Sequence, residues 1–394
     1  MRINIIQPTK TTINSICVVT STRAEYGILH RLIGLIEQSD FELRLVVTGT
    51  HLSEKHGLTA NEIINDGHTI DSRIDILSDG DNELEIGLSL SKAVQEFTHY
   101  FSKTKPDIVL ILGDRYEMLG IASAATICRV PIAHLHGGEV TLGALDESIR
   151  HSITKMSHFH FVSTSDYERR VIQLGENPQS VHNVGSLGVD NALNLKLLNK
   201  DEVESRIGRK FKKSNTIVTF HPETLNTKDK SKDIGEILRA LDTLEDTMIL
   251  FTAPNSDMGS NAIFESIEKY TAKNSKKAIF IKSLGHLLYL SCLKYVDFVV
   301  GNSSSGIIEV PSFNIPTINI GNRQEGRVMP KSVINCSNKK EDICEAFNKA
   351  YEFKILYNND FYNPYHKEDT AKNIVNILES TSLENILFKR FHDL

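Results

Sequence analysis

The stretch Ile108-Val-Leu-Ile-Leu-Gly-Asp-Arg115 decides the fold of this chain. Its five consecutive apolar residues are typical of a strand buried on both faces, as in parallel sheets covered by helices. Gly113 follows this strand, and Asp114 and Arg115 come directly after it. Open parallel sheets bind their ligands at the carboxyl ends of their strands. The stretch therefore predicts an α/β protein with an acid and a base at the ligand-binding edge of its sheet.

Strand-like runs alternate with amphipathic, helix-like segments on both sides of this stretch. In the N-terminal half the predicted strands are Ser15–Val19, Leu43–Val47, Ile108–Leu112, Pro131–His134, His160–Val162 and Val181–Val184. The segment Asn61–Ile74 is polar, and no strand is predicted there. After the Gly-rich turn Gly185–Gly188 the pattern restarts, with predicted strands at Thr216–Phe220, Met248–Phe251, Ala278–Ile281, Val296–Val300 and Pro316–Ile320.

This alternation predicts parallel, doubly wound sheets in two Rossmann-like domains. We predict an N-terminal domain at 1–188 and a C-terminal domain at 189–368, facing each other across a central cleft. We expect a C-terminal helical segment at 369–394 to pack back on the N-terminal domain.

Bulk properties narrow the class of protein. The chain has 394 residues, which is typical of two domains, and its formal net charge is −6 without a dense Lys/Arg stripe. Nucleic acid is therefore not an expected partner. Five scattered cysteines without a CxxC pair indicate reduced thiols, and no stretch resembles a signal peptide or a membrane span. We predict a cytoplasmic protein that does not associate with a membrane.

Three carboxylates follow closely along the chain in the N-terminal half. Asp114 comes first, Glu139 ends the motif His134-Leu-His-Gly-Gly-Glu139, and Asp146 begins Asp146-Glu-Ser-Ile-Arg150. Carboxylates gathered beside an Arg are typical of enzymes that move protons on an anionic substrate. The pair His134 and His136 has the spacing of metal ligands on a strand, but no fourth ligand is evident. No metal is expected.

Several polar segments that follow predicted strands could hold an anion. Arg23 lies in the first strand–helix turn, although an ordinary loop with a solvated Arg explains it equally well. Gly301-Asn-Ser-Ser-Ser-Gly306 follows a strand and opens a helix, as phosphate-binding segments do, and Glu309 is placed to accept from a ribose. A plain helix cap is the alternative. The remaining candidates at the same sheet edges are His221, Asn255 and Arg323.

These motifs closely resemble those of the UDP-N-acetylglucosamine 2-epimerase family, specifically its hydrolysing, NeuC-type branch in sialic acid biosynthesis. The most specific stretches are Gly113–Glu117, His136–Glu139, Ser148–Thr154, Val171–Gly175, Phe220–Thr224 and Gly301–Gly306. The resemblance implies a GT-B fold, with uridine diphosphate held by the C-terminal domain and the sugar facing the N-terminal domain. It also implies no cofactor, and a homo-oligomer.

The resemblance implies two sets of site residues. The nucleotide-binding set is Arg23, Arg115, His221, Asn255, Ser303, Ser304, Ser305, Gly306, Glu309 and Arg323. The catalytic set is Asp114, Asp146 and the acid of the His136–Glu139 motif. This chain departs from the family at one point, because many relatives carry an acid at the position of His136. Whether His136 or Glu139 takes the role of that acid stays open.

The implied reaction converts UDP-N-acetylglucosamine and water to N-acetylmannosamine and UDP. It proceeds by anti-elimination of UDP and hydration of a 2-acetamidoglucal, and it is the first step of sialic acid biosynthesis. The main alternative is the same chemistry on UDP-2,4-diacetamido-2,4,6-trideoxyglucose, used for legionaminic acid. A non-hydrolysing epimerase typically has Gly-Asp-Thr in place of Gly-Asp-Arg, so Arg115 argues against it. A GT-B glycosyltransferase and a non-catalytic nucleotide-sugar sensor are further alternatives that the acid cluster disfavours.

Overall fold

A computed structural model describes residues 12–78, 80, 82–142, 145–222, 230–254, 260–356 and 362–394. The chain divides into two compact units. The first unit comprises Met1–Glu139, Asp146–Asp190 and Lys367–Leu394, and the second comprises Val140–Leu145 and Asn191–His366. The chain therefore passes between the units four times. Among the described residues, no helix has both the length and the apolar character that a membrane crossing requires.

The first unit is built on a parallel sheet of seven strands in the order β3-β2-β1-β4-β5-β6-β7. Its strands are β1 Ser15–Thr20, β2 Glu42–Thr48, β3 Ser72–Ile74, β4 Ile108–Leu112, β5 Ile132–Leu135, β6 Phe159–Val162 and β7 Val181–Asn183. The helices along this part of the chain are α1 Arg23–Glu37, α2 Ala60–Asn65, α3 Glu83–Thr104, α4 Tyr116–Cys128, α5 Asp146–Met156, α6 Ser165–Gln173 and α7 Leu187–Asn194. Short 3-10 turns lie at Gly49–Leu52, Glu54–His56 and Pro178–Ser180.

The second unit contains a parallel sheet of six strands in the order β10-β9-β8-β11-β12-β13. Its strands are β8 Ser214–Thr219, β9 Thr247–Thr252, β10 Ala278–Ile281, β11 Phe298–Gly301, β12 Thr317–Ile320 and β13 Val333–Cys336. Its helices are α8 Lys200–Ile207, α9 Lys230–Leu241, α10 Ser260–Lys273, α11 Gly285–Leu293, α12 Ser305–Ile308 and α13 Lys340–Leu356, with a 3-10 turn at Val310–Phe313. The last helix of the chain, α14 Thr370–Ser380, belongs to the first unit.

The alternation of side chains along each central strand explains why both faces of each sheet are covered. In β4, Ile108, Leu110 and Leu112 belong to one apolar cluster, whereas Val109 and Ile111 belong to another. The first cluster contains apolar residues of α1 and α14, and the second contains those of α3, α4 and α5. Because side chains alternate in direction along a strand, one apolar run supplies both cores. The prediction of a doubly wound parallel sheet is confirmed.

All eleven strands predicted from the sequence are strands in the structure, with small shifts at their ends. Two strands, β3 and β13, were missed. Both lie at an edge of their sheet, and β3 replaces part of the segment that we had predicted without a strand. An edge strand packs against one neighbouring strand only and buries fewer apolar side chains, so its sequence pattern is weaker.

The C-terminal segment of the first unit, Lys367–Leu394, contacts a buried ionic cluster around Glu176. Glu176 is 1% exposed. Its carboxylate accepts from Lys155 Nζ at 2.6 Å and His160 Nε2 at 2.9 Å, and it pairs with Lys389 Nζ at 2.6 Å. Lys389 also donates to the carbonyls of Lys155 and Ser157, at 2.6 and 2.7 Å, at the C-terminal end of α5. A cation at this end of a helix is favourable, because the last carbonyls lack helical partners.

Loss of the Glu176 charge is expected to destabilise the protein in a pH-dependent way. Burial by itself raises the pKa of Glu176, but hydrogen bonds from His160, Lys155 and Lys389 outweigh it and lower the pKa to about 2. A carboxyl group with a depressed folded-state pKa stabilises the fold above its unfolded-state pKa and loses that effect as the pH falls. Glu176→Gln should therefore lower the free energy of unfolding by about 3 kcal/mol at pH 7. The deficit should shrink as the pH falls from 4.5 towards 2.

Urea denaturation of the wild type and the variant at several pH values measures this deficit. Glu265→Gln is the matched control, because Glu265 pairs with Lys269 on an exposed face of α10. Exposed pairs contribute less than about 1 kcal/mol, so the control should remain close to the wild type. Equal stability of Glu176→Gln and the wild type at pH 7 would contradict the structural role of this cluster.

Candidate functional site

In the first unit, one buried guanidinium connects the segments that carry the predicted acids. Arg150 on α5 is 1% exposed, and its Nη2 donates to Asp114 Oδ2, directly after β4. Its Nη1 donates to Glu147 Oε2 at 2.7 Å and to the carbonyl of Glu139 at 2.9 Å. The left-handed conformation of Gly113, with φ of 84°, turns the chain between β4 and Asp114. Two carboxylates and the end of the Glu139 motif are thus held by a single side chain.

Two members of this network were not predicted from the sequence. Glu147 and Arg150 lie three residues apart on α5 and form an ion pair on the same face of the helix. Helical spacing alone could have indicated this pair. The predicted acid Asp146 is the first residue of α5 and is partly buried, one position before Glu147.

His134 has a structural role between β5 and α5. The ring is fully buried, its Nε2 donates to the carbonyl of Gly113 at 2.7 Å, and its Nδ1 contacts Thr154 Oγ1 at 3.2 Å. Burial lowers the pKa of His134 to about 3, so the imidazole is neutral. Both ring nitrogens are therefore engaged within the protein, which leaves neither available to a metal ion in this arrangement.

His136 and Glu139 form a direct pair in the turn after β5. His136 Nδ1 lies 2.9 Å from Glu139 Oε1, which also accepts from Ser163 Oγ at 3.2 Å. Glu139 is only 3% exposed. His136 has φ of 64°, in the left-handed region, and its N–H donates to the carbonyl of Phe161 at 2.9 Å. Gly138, with φ of 75°, turns the chain after His136, and the Glu139 side chain that follows is buried.

Arg115, predicted to bind the diphosphate, contacts a carboxylate of its own unit. Its Nε and Nη2 each lie 3.2 Å from a carboxylate oxygen of Glu117, which is fully buried. The nearby Glu25 is also buried, and burial raises its pKa to about 7, with Arg115 opposing the shift and Glu117 adding to it. Neither Glu117 nor Glu25 was among the predicted site residues. Glu117 therefore balances part of the charge of Arg115.

Arg23 occupies the first turn of α1, after β1. Burial lowers the pKa of Arg23, and the nearby Glu62 partly offsets this effect. Its Nη1 is buried and has no hydrogen-bond partner within the described part of the chain. A buried guanidinium donor without a partner is costly, which favours an anionic ligand over the alternative of a solvated Arg.

In the second unit, Asn302 joins the ends of two neighbouring strands. Its Oδ1 accepts from the backbone N–H of His221 at 2.7 Å, and its Nδ2 donates to the carbonyl of His221 at 2.8 Å. Its own carbonyl accepts from Arg323 Nη1 at 3.2 Å and from Gln324 Nε2 at 2.8 Å. The segments after β8, β11 and β12 are therefore linked through one buried side chain and its backbone. Asn302 and Gln324 were not among the predicted site residues.

Removal of this link is expected to weaken the second unit. Each buried polar group left without a partner costs about 1–3 kcal/mol, so Asn302→Ala should lower the free energy of unfolding by about 2 kcal/mol. Urea denaturation measures the effect. Asn274→Ala is the control, because the Asn274 amide donates to a carbonyl of the preceding helix turn at 3.1 Å and does not link separate segments within the described residues. A loss in Asn302→Ala no larger than in the control would contradict the linking role.

The segment Gly301–Gly306 follows β11 as predicted, but the helix that it opens is short. α12 comprises only Ser305–Ile308, and Ser304 has helical dihedral angles without a side-chain capping bond. The prediction that this segment opens a helix is confirmed, although the helix is a single turn, and the alternative of a serine side-chain cap does not hold at Ser304. Pro311 follows in the 3-10 turn, where it cannot donate a helical hydrogen bond. A single turn has few aligned peptide dipoles, so the dipole of α12 would contribute little to the binding of a phosphate. The serine hydroxyls and backbone N–H groups would have to provide most of that binding.

The other predicted residues of the second unit lie near this segment in the sequence or are linked to it by contacts. Ser305 Oγ lies 2.8 Å from Tyr289 Oη, Gly306 packs against Thr317 of β12, and Glu309 is 8% exposed. Burial, together with Arg323, holds the pKa of His221 well below its ordinary value. In this state the ring is neutral, so it adds no positive charge and can only exchange hydrogen bonds. Asn255 lies outside the described residues.

The predicted site residues thus fall into two groups. Arg23, Asp114, Arg115, His136, Glu139 and Asp146 belong to the first unit, and His221, Ser303, Ser304, Ser305, Gly306, Glu309 and Arg323 belong to the second. Within each group, the direct contacts run between segments that follow parallel strands. The carboxyl edge of each sheet therefore carries a polar set that suits the binding of a small, charged molecule.

This chain is similar to known proteins in sequence and in fold. Residues 34–379 match the family model of UDP-N-acetylglucosamine 2-epimerase. The GDP/UDP-N,N'-diacetylbacillosamine 2-epimerase (hydrolyzing) of Campylobacter jejuni is 43% identical over 96% of this chain and 99% of its own. The polysialic acid biosynthesis protein P7 of Escherichia coli is 42% identical, over 96% and 97%. The UDP-GlcNAc 2-epimerase of Methanocaldococcus jannaschii, solved with UDP-GlcNAc and UDP, superposes with a TM-score of 0.76 and 20% identity, over 92% and 99%.

The two parallel-sheet units, with polar sets at their carboxyl edges, define a protein of the GT-B class. The match over most of the chain then identifies it more closely. The chain belongs to the UDP-N-acetylglucosamine 2-epimerase family.

Proposed function

We propose that this protein is a hydrolysing 2-epimerase that acts on a UDP-2-acetamido sugar. The observation that carries the proposal is the network in which Arg150 binds Asp114 and Glu147 at the carboxyl edge of the first sheet. A guanidinium that donates to several carboxylates fixes their positions. Carboxylates held in this way are suited to take a proton from carbon and to return one. Membership of the family supports the assignment to 2-epimerisation.

The proposed reaction has two halves. In the first half, a base removes the C2 proton, the electron pair of that bond forms the C1–C2 double bond, and the C1–O bond breaks with release of UDP. In the second half, the oxygen of a water bonds to C1 and a proton adds to C2 from the opposite face. The products are UDP and a free sugar with inverted configuration at C2. Asp114 and Asp146 are the proposed proton-transfer carboxylates, with His136 and Glu139 beside them.

The nucleotide is proposed to bind mainly to the second unit. His221, Asn255, Ser303, Ser304, Ser305, Gly306, Glu309 and Arg323 form the proposed set, with Arg23 and Arg115 of the first unit acting on the diphosphate. Arg323 supplies positive charge, and the neutral His221 ring supplies a hydrogen bond. Donors placed where charge develops on the leaving UDP lower the barrier to elimination. Asn302→Ala should therefore also weaken the binding of UDP, because Asn302 links the His221 and Arg323 segments.

Two substrates fit this proposal. UDP-N-acetylglucosamine is the substrate named by the matching family, and it would make this reaction the first step of sialic acid synthesis. The diacetamido analogue is favoured by the name of the Campylobacter jejuni relative. The two sugars differ at C4 and C6, where the analogue carries an acetamido group and a methyl group. The shared 2-acetamido group and diphosphate explain why one set of catalytic residues serves either sugar.

Incubation with each sugar nucleotide in deuterium oxide, followed by NMR, tests the proposal. We expect UDP and a free 2-epimerised sugar that carries deuterium at C2. A product that still contains UDP would indicate a non-hydrolysing epimerase and contradict the proposal. A free sugar without deuterium at C2 would contradict elimination and hydration. The ratio of kcat/KM for the two sugar nucleotides identifies the preferred substrate.

A further inference from the structure

We infer that His136 carries a proton of the reaction on its Nε2, and that Glu139 is a positioning residue that orients the ring. This inference rests on the proposed function and assigns separate roles to the two residues. The sequence left open which member of the His136–Glu139 pair provides the proton-transfer group of this motif. The geometry of the pair indicates which residue provides it.

The hydrogen bonds of the His136 ring determine which of its nitrogens carries the hydrogen. His136 Nδ1 lies 2.9 Å from Glu139 Oε1, and that oxygen also accepts from Ser163 Oγ. An ionised carboxylate only accepts hydrogen bonds, so Nδ1 carries the hydrogen in this contact. In a neutral ring the lone pair then lies on Nε2, which has no partner among the residues that the structure describes. A base oriented by a carboxylate through its other nitrogen is the arrangement that makes imidazole an effective proton carrier.

His136 and Glu139 are both fixed in place by contacts of their backbone. The left-handed backbone of His136, with φ of 64°, is strained for a residue other than glycine, and such strain clusters at functional sites. Its backbone N–H is held by the carbonyl of Phe161 at 2.9 Å. The carbonyl of Glu139 accepts from Arg150 at 2.9 Å, and Arg150 also binds the carboxylate of Asp114. The His136–Glu139 pair is therefore anchored to the same guanidinium as the proposed catalytic acid.

The two side chains differ in burial. The Glu139 side chain is 5% exposed and the His136 side chain 12% exposed, but the Nε2 atom of the ring is itself buried without a partner among the described residues. A buried polar atom in this state is one that a bound substrate or water would satisfy. The Glu139 oxygen that faces the ring already accepts two hydrogen bonds, which lowers its basicity. Two cations near the pair are Arg150 of α5 and Arg170 of α6, which donate to the carbonyls of Glu139 and Gly138.

The proton transfer balances without an external reagent. Nε2 accepts one proton as a bond to hydrogen breaks in the substrate or in the attacking water. The imidazolium that forms is stabilised by the Glu139 carboxylate, and the ring gives the proton up again before the next turnover. Glu139 keeps its charge throughout and acts only through the ring.

Steady-state kinetics of His136→Gln and Glu139→Gln with the preferred sugar nucleotide test the inference. We expect His136→Gln to lower kcat about 100-fold with little change in KM, because a positioned proton carrier contributes about that much. Glu139→Gln should lower kcat about 10-fold, as loss of an orienting partner does. It should also move the acidic limb of the kcat/KM profile to lower pH, because the imidazolium loses its carboxylate. A merely structural Glu139 would not move that limb.

The control is His99→Gln, which alters an exposed His of α3 and should leave the kinetics unchanged. Thermal unfolding and UDP binding are measured for each variant, and His136→Glu provides a second readout. A carboxylate at that position should recover activity and change the shape of the pH profile. If the wild type turns over and His136→Gln folds, binds UDP and retains its kcat, the inference is wrong while the proposed function stands. An inert wild type overturns both.

Discussion

Asp114→Asn is expected to lower kcat by about 10⁴-fold, at the upper end of the contribution of a single acid or base. Asn has nearly the same size as Asp and can still accept a hydrogen bond from Arg150, so the local structure should persist. It cannot take or deliver a proton on carbon, because its amide has no accessible pKa. KM should change little, since the proposed nucleotide-binding set is untouched. The rate of UDP release, determined by chromatography, measures the change in kcat.

Asp166→Asn is the matched control for this prediction. Asp166 also pairs with an Arg three residues along its helix, but both side chains are exposed on α6. The kcat of Asp166→Asn should equal that of the wild type. Loss of a proton-transfer group lowers kcat at least about 100-fold. If the kcat of Asp114→Asn stayed within a factor of about two of the wild-type value, Asp114 would have no catalytic role.

Arg150→Met is expected to affect both the stability and the activity of the protein. Removal of one partner from a buried ion pair costs about 3–5 kcal/mol, because the remaining charges lose their compensation. Here Asp114 and Glu147 are about a quarter exposed, at 26% and 25%. Water can therefore compensate part of the loss, and we expect about 3 kcal/mol, the lower end of that range. Activity should fall as well, because Asp114, Glu147 and the Glu139 turn lose their common anchor. Urea denaturation and kinetics on the same preparation measure both effects.

Two further variants separate charge from geometry. Arg150→Lys keeps the positive charge but cannot reach several acceptors with one planar group, so its stability should lie between those of the wild type and Arg150→Met. Arg169→Met removes an Arg whose side chain is 72% exposed, and it should cost less than about 1 kcal/mol. A free energy of unfolding for Arg150→Met that equals that of Arg169→Met would show that the buried network does not stabilise the first unit.

The sequence predicted the central strands of both sheets because their apolar runs are buried on both faces. It did not predict β3 and β13, where one neighbour is missing and the apolar signal is correspondingly weak. It predicted correctly that Gly301–Gly306 opens a helix, but it did not give the length of that helix. The structure has a single turn there, and Pro311 was the signal that could have indicated it.

For the candidate site, the sequence identified segments better than it identified partners. The residues that follow the strands were recognised, since their positions depend only on strand assignment. The contacts of Arg150 with Asp114, and of Asn302 with His221, join residues 36 and 81 positions apart, which one sequence cannot reveal. The neutral state of His221 depends on burial, which is likewise a property of the fold.

The division of the first unit into separate stretches has a consequence for synthesis on the ribosome. Lys367–Leu394 belongs to that unit, and α14 supplies part of the apolar cover over β4. A nascent chain that has emerged only as far as Asp190 therefore lacks this cover, together with the Lys389 partner of Glu176. The second unit, by contrast, has all of its strands by Cys336. Since domains fold during translation as their parts become available, the unit that begins first is completed last.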